Sequence, residues 1–281
     1  MKLMRVGPPG EERPTVIDEN GQIRDLSGHV PDFTGQGVSL AALETIRGID
    51  LTTLPVLPEG ARIGACLGAV PNFFCVGLNY AKHAAETGAK PPAEPILFSK
   101  AASALAGPND AVTIPPGSEK SDWEVELGVV IGKPCWQVSE AEALDHVAGY
   151  CVVNDLSERA WQMEHGGQWI KGKSAPGYGP CGPWLVTADE VPDPQALGLS
   201  LDLNGERVQD SDTSDMIFGV AEIVSYMSRF MQLVPGDLIA TGTPSGVGLG
   251  MKPPRFLRAG DVMELRVEKL GEQRQEVVAA E

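Results

Sequence analysis

Glu124 and Glu126 stand two residues apart in "SDWEVELGVVIGK", where Trp123, Val125 and Leu127 alternate with them. As a strand, this run projects both carboxylates from one face, and two like charges so close need a cation or a shared proton once water is removed. Asp155 ends a second apolar run, "YCVVND". Three carboxylates from two strands, with no cysteine or histidine among them, form a hard oxygen set suited to Mg²⁺, Mn²⁺ or Ca²⁺ with open water positions. An isolated Glu-x-Glu also reads as the solvated face of a half-exposed strand. The continuation "LGVVIG" is apolar on both faces, which suggests a central strand and favours the metal reading.

A second pair lies in "GLNYAKHAAETGAK". Asn79 is an N-cap candidate, a short helix runs from Tyr80 to Thr87, and Gly88 is its stop. His83 and Glu86 then share one face a turn apart, a pair in which the carboxylate orients the imidazole and the imidazole activates a water as general base. A surface His–Glu pair has the same spacing, so spacing alone leaves both readings open.

Lys173 sits in "GGQWIKGKS", where Gly167, Gly172, Lys173 and Ser174 satisfy the G-x-x-x-x-G-K-[ST] pattern of a phosphate-binding loop. That pattern needs a buried strand before it and a helix after it. Here "SERAWQMEHGG" precedes it, polar and helix-like, and the alternating prolines and glycines of "APGYGPCGPW" forbid a following helix. The nucleotide match is therefore coincidental, and Lys173 is left as a lysine on a loop.

The elements that must position these groups are mostly short strands. "FFCVGLNY", "ILFSK", "WEVELGVVIG", "YCVVND", "GPWLVT", "LSLDL" and "DLIATG" are β-rich, and Asn20-Gly21 and Asn204-Gly205 are two-residue hairpin signals. Helices are few. Ser139 and Glu142 make a capping box, and Met216, Ile217, Val220, Ile223, Val224, Met227, Phe230 and Met231 recur at helical spacing as a core stripe. The strands are not separated by regular helices, so a mixed, mainly β, α+β fold is expected rather than a doubly wound sheet. Residues 1–70 read as a small β-rich module, with a boundary near Pro71 and a larger domain over 71–281.

The chain has 281 residues and a formal net charge of −16. Its far field repels nucleic acid and anionic membrane surfaces, and an anionic substrate must be met by a local lysine, arginine or bound cation. Five widely spaced cysteines without a C-x-x-C pair point to reduced thiols, and neither a signal peptide nor a spanning segment is evident, so a cytoplasmic protein is expected.

Taken in order from about Phe73 to Glu268, "CVGLNYAKHAAETG", "PILFSK", "SDWEVELGVVIGK", "GYCVVNDLSERAWQ", "KGKS", "GPWLVT", "LNGERVQ", "MIFGVAEIVSYMS" and "GDLIATGTPSGVG" resemble the fumarylacetoacetate hydrolase family. The resemblance implies a mixed β-roll, usually a homodimer, that binds Mg²⁺ or Mn²⁺ and cleaves C–C bonds in β-diketo acids. It implies Glu124, Glu126 and Asp155 as metal ligands, His83 with Glu86 as the water-activating pair, and Lys173 as the active-site lysine. Arg159, Gln162 and Thr243 match positions that line the substrate site, whereas Leu78 stands where several relatives carry arginine.

The N-terminal stretch and "GVGLGMKPPRFLRAGD" are most similar to the branch of 2,4-diketo-3-deoxy-L-rhamnonate or L-fuconate hydrolases, which implies an acylpyruvate substrate of the sugar-acid type. Oxaloacetate decarboxylases, hydroxy-dienedioate isomerases and ureidoglycolate lyases are the enzyme alternatives, and a metal-binding structural dimer is the alternative outside catalysis.

Overall fold

Apolar runs of three to nine residues, broken by glycine and proline, fold into sheets because each run can bury both faces once a second layer covers it. In the computed structural model, which describes residues 1–58, 60–86, 88 and 90–280, the strands are β1 (Lys2–Val6), β2 (Arg13–Ile17), β3 (Ile23–Asp25), β4 (Phe73–Gly77), β5 (Ile96–Lys100), β6 (Leu105–Ala106), β7 (Val112–Ile114), β8 (Ser121–Asp122) and β9 (Val125–Ile131). They continue with β10 (Val147–Asn154), β11 (Ser157–Glu158), β12 (Gly179–Thr187), β13 (Gly198–Leu203), β14 (Glu206–Asp212), β15 (Leu238–Ala240), β16 (Val262–Val267) and β17 (Gly271–Ala279). Between them lie the helices α1 (Leu40–Arg47), α2 (Ala81–Glu86), α3 (Glu140–Ala143), α4 (Arg159–Met163), α5 (Ile170–Lys173) and α6 (Val220–Ser228).

A ten-stranded sheet runs in the order β3-β2-β1-β12-β10-β9-β15-β4-β5, with β6 beside β12, and a five-stranded sheet runs β14-β13-β16-β17-β7. Pairing is mainly antiparallel, with parallel contacts at β15/β4, β12/β6 and β17/β7. This is the mainly β architecture with few helices that the strand runs imply. β1 pairs antiparallel with β12, so residues 1–70 extend the same sheet that carries β9 and β10. Among the described residues, no helix is long and apolar enough to cross a membrane.

Two cores cover the two faces of the large sheet. Leu127, Val129 and Val152 pack with Leu201 and Leu265 of the five-stranded sheet, while Val130, Cys151 and Val153 pack with Leu3, Phe33 and Leu67 from the first seventy residues. This is why β9 is buried along its whole length, and why a carboxylate on it cannot reach bulk water. All five cysteines are free and buried, Cys66 and Cys151 each lying 3.5 Å from the Cys181 sulfur.

Local signals held at most turns. β2 and β3 pair across Asn20-Gly21, β13 and β14 pair across Asn204-Gly205, and the Ser139–Glu142 capping box forms. Three expectations need correction. Lys173 is not on a loop but ends the short helix α5, because Gly172 lets that turn press onto α4, where an added Cβ would lie 2.4 Å from the Glu158 carbonyl oxygen. Phe230 is 62% exposed rather than part of the core stripe, since α6 ends at Ser228 and the chain turns away. Asn79 does not use its side chain as a cap. It donates to the Phe218 and Thr241 carbonyls and accepts from Phe218 N–H, tying the segment before α2 to those before α6 and after β15. The expected helix end at Thr87 lies outside the described residues, while Gly88 has the positive φ of 74° that a helix stop requires.

Gly246 supplies a stability prediction. Its φ is +104°, and a Cβ there would lie 1.8 Å from the Val208 carbonyl oxygen, a clash with backbone that no rotamer relieves. Gly246→Ala should lose about 3 kcal/mol of stability, read from denaturant midpoints at fixed divalent-metal concentration. An unchanged midpoint would mean that the loop is not held where the structure puts it.

Candidate active site

β9 and β10 are antiparallel neighbours in the middle of the large sheet, with Glu126 opposite Val153, and the backbone N–H of Asp155 donates to the Glu124 carbonyl at 2.9 Å. The period of two puts Glu126 on the face of Val130 and Asp155 on the face of Val153, the side of the sheet packed by residues 3–70. Lys100, at the end of β5, shares its face with Phe98. Side chains emerging at these strand ends converge on one cavity of about 150 Å³. Its lining contains His83, Glu124, Glu126, Asp155, Arg159, Gln162, Lys173 and Thr243, so eight of the nine site residues anticipated from sequence meet there. The ninth, Glu86, stands behind His83, with its Oε2 3.4 Å from His83 Nδ1.

The buried charges form one network. Lys173 Nζ donates to Glu124 Oε2 and to Asp155 Oδ2, both at 2.6 Å. Lys100 Nζ, fully buried, donates to Asp155 Oδ1 at 2.5 Å and to the Leu156 carbonyl at 3.0 Å. Arg159 Nε donates to Asp122 Oδ2 at 2.8 Å and Nη1 to Gln162 Oε1 at 3.1 Å. Arg159 Nη2 lies 2.7 Å from Glu124 Oε1, an ion pair without hydrogen-bond alignment.

The electrostatic consequences differ from one carboxylate to the next. Burial opposes ionisation of Glu124, yet the charges of Lys173 and Arg159 outweigh it and hold the carboxyl at about 2. Glu126 takes a backbone N–H from Gly242 at 2.7 Å but has no ion pair among the described residues, and burial followed by the charges of Asp155 and Glu124 pushes it well above the usual carboxylate range. Burial likewise opposes the charges on Lys173 and Arg159, but Asp155 and Glu124 around the first, and Asp122 and Glu124 around the second, raise both above their ordinary values. Both stay cationic.

One oxygen from each of Glu124, Glu126 and Asp155 lies within 4.8 Å of the others, in a buried cluster. Three hard donors at that spacing, one of them short of positive charge, fit a divalent cation such as Mg²⁺ or Mn²⁺.

The segment after β15 closes the site from above, and four acidic or amide side chains grip its backbone. Glu126 holds Gly242 N–H, Glu86 holds Gly246 N–H at 3.0 and 3.1 Å, and Asp122 holds Gly248 N–H at 2.7 Å and Leu249 N–H at 3.0 Å. Gln209 donates to Thr243 Oγ1 and to the Pro244 carbonyl, while Thr243 Oγ1 donates to the Val125 carbonyl. Lys100, Asp122 and Gln209 are thus parts of the site that sequence reasoning missed. Asp122 flanks the recognised Glu-x-Glu and Lys100 ends an apolar strand, the positional signal that singled out Asp155; Gln209 lies on the other sheet and carries no local signal.

The fumarylacetoacetate (FAA) hydrolase C-terminal family model matches residues 72–278. A protein of Burkholderia multivorans that carries only a provisional hydrolase name is 57% identical over 281 residues, covering 100% of both chains. Among solved structures, the fold is similar to a fumarylacetoacetate hydrolase from psychrophilic Exiguobacterium antarcticum, at 36% identity and a TM-score of 0.89 with 100% of both chains covered. It is also similar to a maleylpyruvate hydrolase from Sphingobium sp. SYK-6 in complex with manganese(II) and pyruvate, at 26% identity and a TM-score of 0.82 with 100% of both chains covered. With carboxylates, cations and a histidine gathered in one cavity and a family match over most of its length, the chain belongs to the fumarylacetoacetate hydrolase family of enzymes.

Proposed function

We propose that this protein is a divalent-metal-dependent hydrolase that cleaves the C3–C4 bond of a 2,4-diketo acid, an acylpyruvate, to give pyruvate and a carboxylic acid. The observation that carries this reading is the pairing of a three-carboxylate nest with a His–Glu pair on one cavity. The manganese and pyruvate bound to the Sphingobium relative support it. Glu124, Glu126 and Asp155 would hold Mg²⁺ or Mn²⁺. When bound, the ion supplies positive charge that draws in the substrate's 1-carboxylate and 2-oxo oxygen and steadies the pyruvate enolate.

The chain's own residues do the rest. His83, oriented through Nδ1 by Glu86, takes a proton from water on its other ring nitrogen, and the resulting hydroxide adds to the C4 carbonyl. Lys173 spends two protons on Glu124 and Asp155, and its third has only a 3.5 Å contact with the Asp155 carbonyl, so it can donate to the C4 oxyanion. The C3–C4 bond then breaks with its electron pair on C3, and His83 returns the proton there. Arg159, fixed by Asp122, holds Glu124 in place.

His83→Ala separates this reading from decarboxylation or isomerisation, which require no attacking water. Pyruvate release from acetylpyruvate should fall by at least about 100-fold, while any decarboxylation of oxaloacetate should survive. Unchanged acylpyruvate cleavage in that variant would remove the water-activating role.

A further inference from the structure

The cavity lining joins the charges already described to an apolar wall made by Leu78, Phe98, Met163, Trp169 and Leu249, with Lys173 Nζ 5.0 Å from the centre of the Phe98 ring. Resting on the acylpyruvate reading above, we infer that the acyl group of the substrate is apolar, an alkyl or aryl chain that carries no second carboxylate.

The first ground is the accounting of cations. Lys173 and Arg159 are the lysine and arginine on the cavity lining, and both are committed to buried carboxylates at 2.6 to 2.8 Å. Lys100 lies deeper, bound to Asp155 and the Leu156 carbonyl. Four buried carboxylates (Asp122, Glu124, Glu126, Asp155) face these three buried cations. A divalent ion leaves that cluster with one positive charge, matched by the single carboxylate next to the substrate's 2-oxo group. A second carboxylate set against the apolar side chains would meet no uncommitted lysine or arginine on the lining.

The polar lining groups are engaged in part, and the Gln162 amide nitrogen has no partner among the described residues. Gln162 Oε1 accepts from Arg159, and the Thr243 hydroxyl both donates to Val125 and accepts from Gln209.

The second ground is that the apolar wall is built rather than incidental. Leu78 has φ +53°, a conformation that costs a bulky side chain energy and persists only where the surroundings impose it. Gly77 before it lies so close under Trp169 that an added Cβ would be 2.5 Å from the indole, and Asn79 after it is fixed by three hydrogen bonds to Phe218 and Thr241. Trp169 is held edge-on by Phe98, with ring centroids 5.2 Å apart, and Leu249 is anchored through its N–H by Asp122.

Two pairs matched in carbon number test this on the wild-type protein. With Mg²⁺ or Mn²⁺ present, kcat/KM for 2,4-dioxoheptanoate should exceed that for 2,4-dioxoheptanedioate by about 100-fold. By calorimetry, 2-oxoheptanoate, which lacks the bond to be cleaved, should bind at least about 10-fold tighter than 2-oxoheptanedioate. Equal or reversed preferences overturn the inference and leave the hydrolase reading standing. The binding preference without pyruvate release from any diketo acid, acetylpyruvate included, supports the apolar wall and overturns the hydrolase reading instead.

Discussion

Glu126→Gln should reduce pyruvate release from acylpyruvates by at least about 1,000-fold while leaving the protein folded, a loss of about 4 kcal/mol of transition-state stabilisation. The substitution keeps the shape of the side chain and an oxygen to accept from Gly242 N–H, and removes only the charge. Unlike Glu124 and Asp155, this carboxylate has no ion pair among the described residues, so the variant strands no lysine or arginine. In metal-free buffer the variant should be at least as stable as the parent, because a buried group repelled by Asp155 and Glu124 becomes neutral. The parent should gain about 2.7 kcal/mol from a divalent ion at 100 times its dissociation constant, and the variant close to none. Thermal melts with and without Mn²⁺ read both effects. A variant that retains the metal-dependent shift would place the ion elsewhere.

Lys173→Met is expected to produce the second large effect, with the opposite stability pattern. Lys173 is 2% exposed and bridges Glu124 and Asp155. Removing one partner from such a network while the others remain buried costs about 3–5 kcal/mol. Loss of the C4 oxyanion donor should lower kcat by about 100- to 1,000-fold. Because the stranded carboxylates are the proposed metal ligands, saturating Mn²⁺ should restore much of the lost stability but not the rate. If stability returns and kcat returns with it, Lys173 only neutralises charge and takes no part in the chemistry.

What could be read from the residues, and what could not, follows from the range of each interaction. Glu124 and Glu126 were legible because strand period is a local property, and Asp155 because it ends an apolar run that had to be buried. His83 and Glu86 were legible as a helical pair, although whether that pair faced solvent or a cavity depended on where α2 packs. Lys100, Asp122 and Gln209 act through distant partners, among them Asp155, Arg159 and Thr243 at 55, 37 and 34 residues away. No periodicity encodes such distances. The short helix α5 was hidden for a related reason, since "IKGK" has little helical preference of its own and is held by Gly172 against α4. Asn79 carried a good capping signal, but tertiary partners at Phe218 and Thr241 took its side chain. The continuity of residues 1–70 with the large sheet rests on β1 pairing with β12, some 180 residues away, which local patterning does not reveal.

Metal dependence of C–C bond cleavage is the centre of this account, and a chelation and add-back assay tests it most directly. Protein stripped of divalent ions should release no pyruvate from acetylpyruvate, and activity should return with Mg²⁺ or Mn²⁺ as one ion binds per chain. Pyruvate released at an undiminished rate by the stripped protein would contradict it.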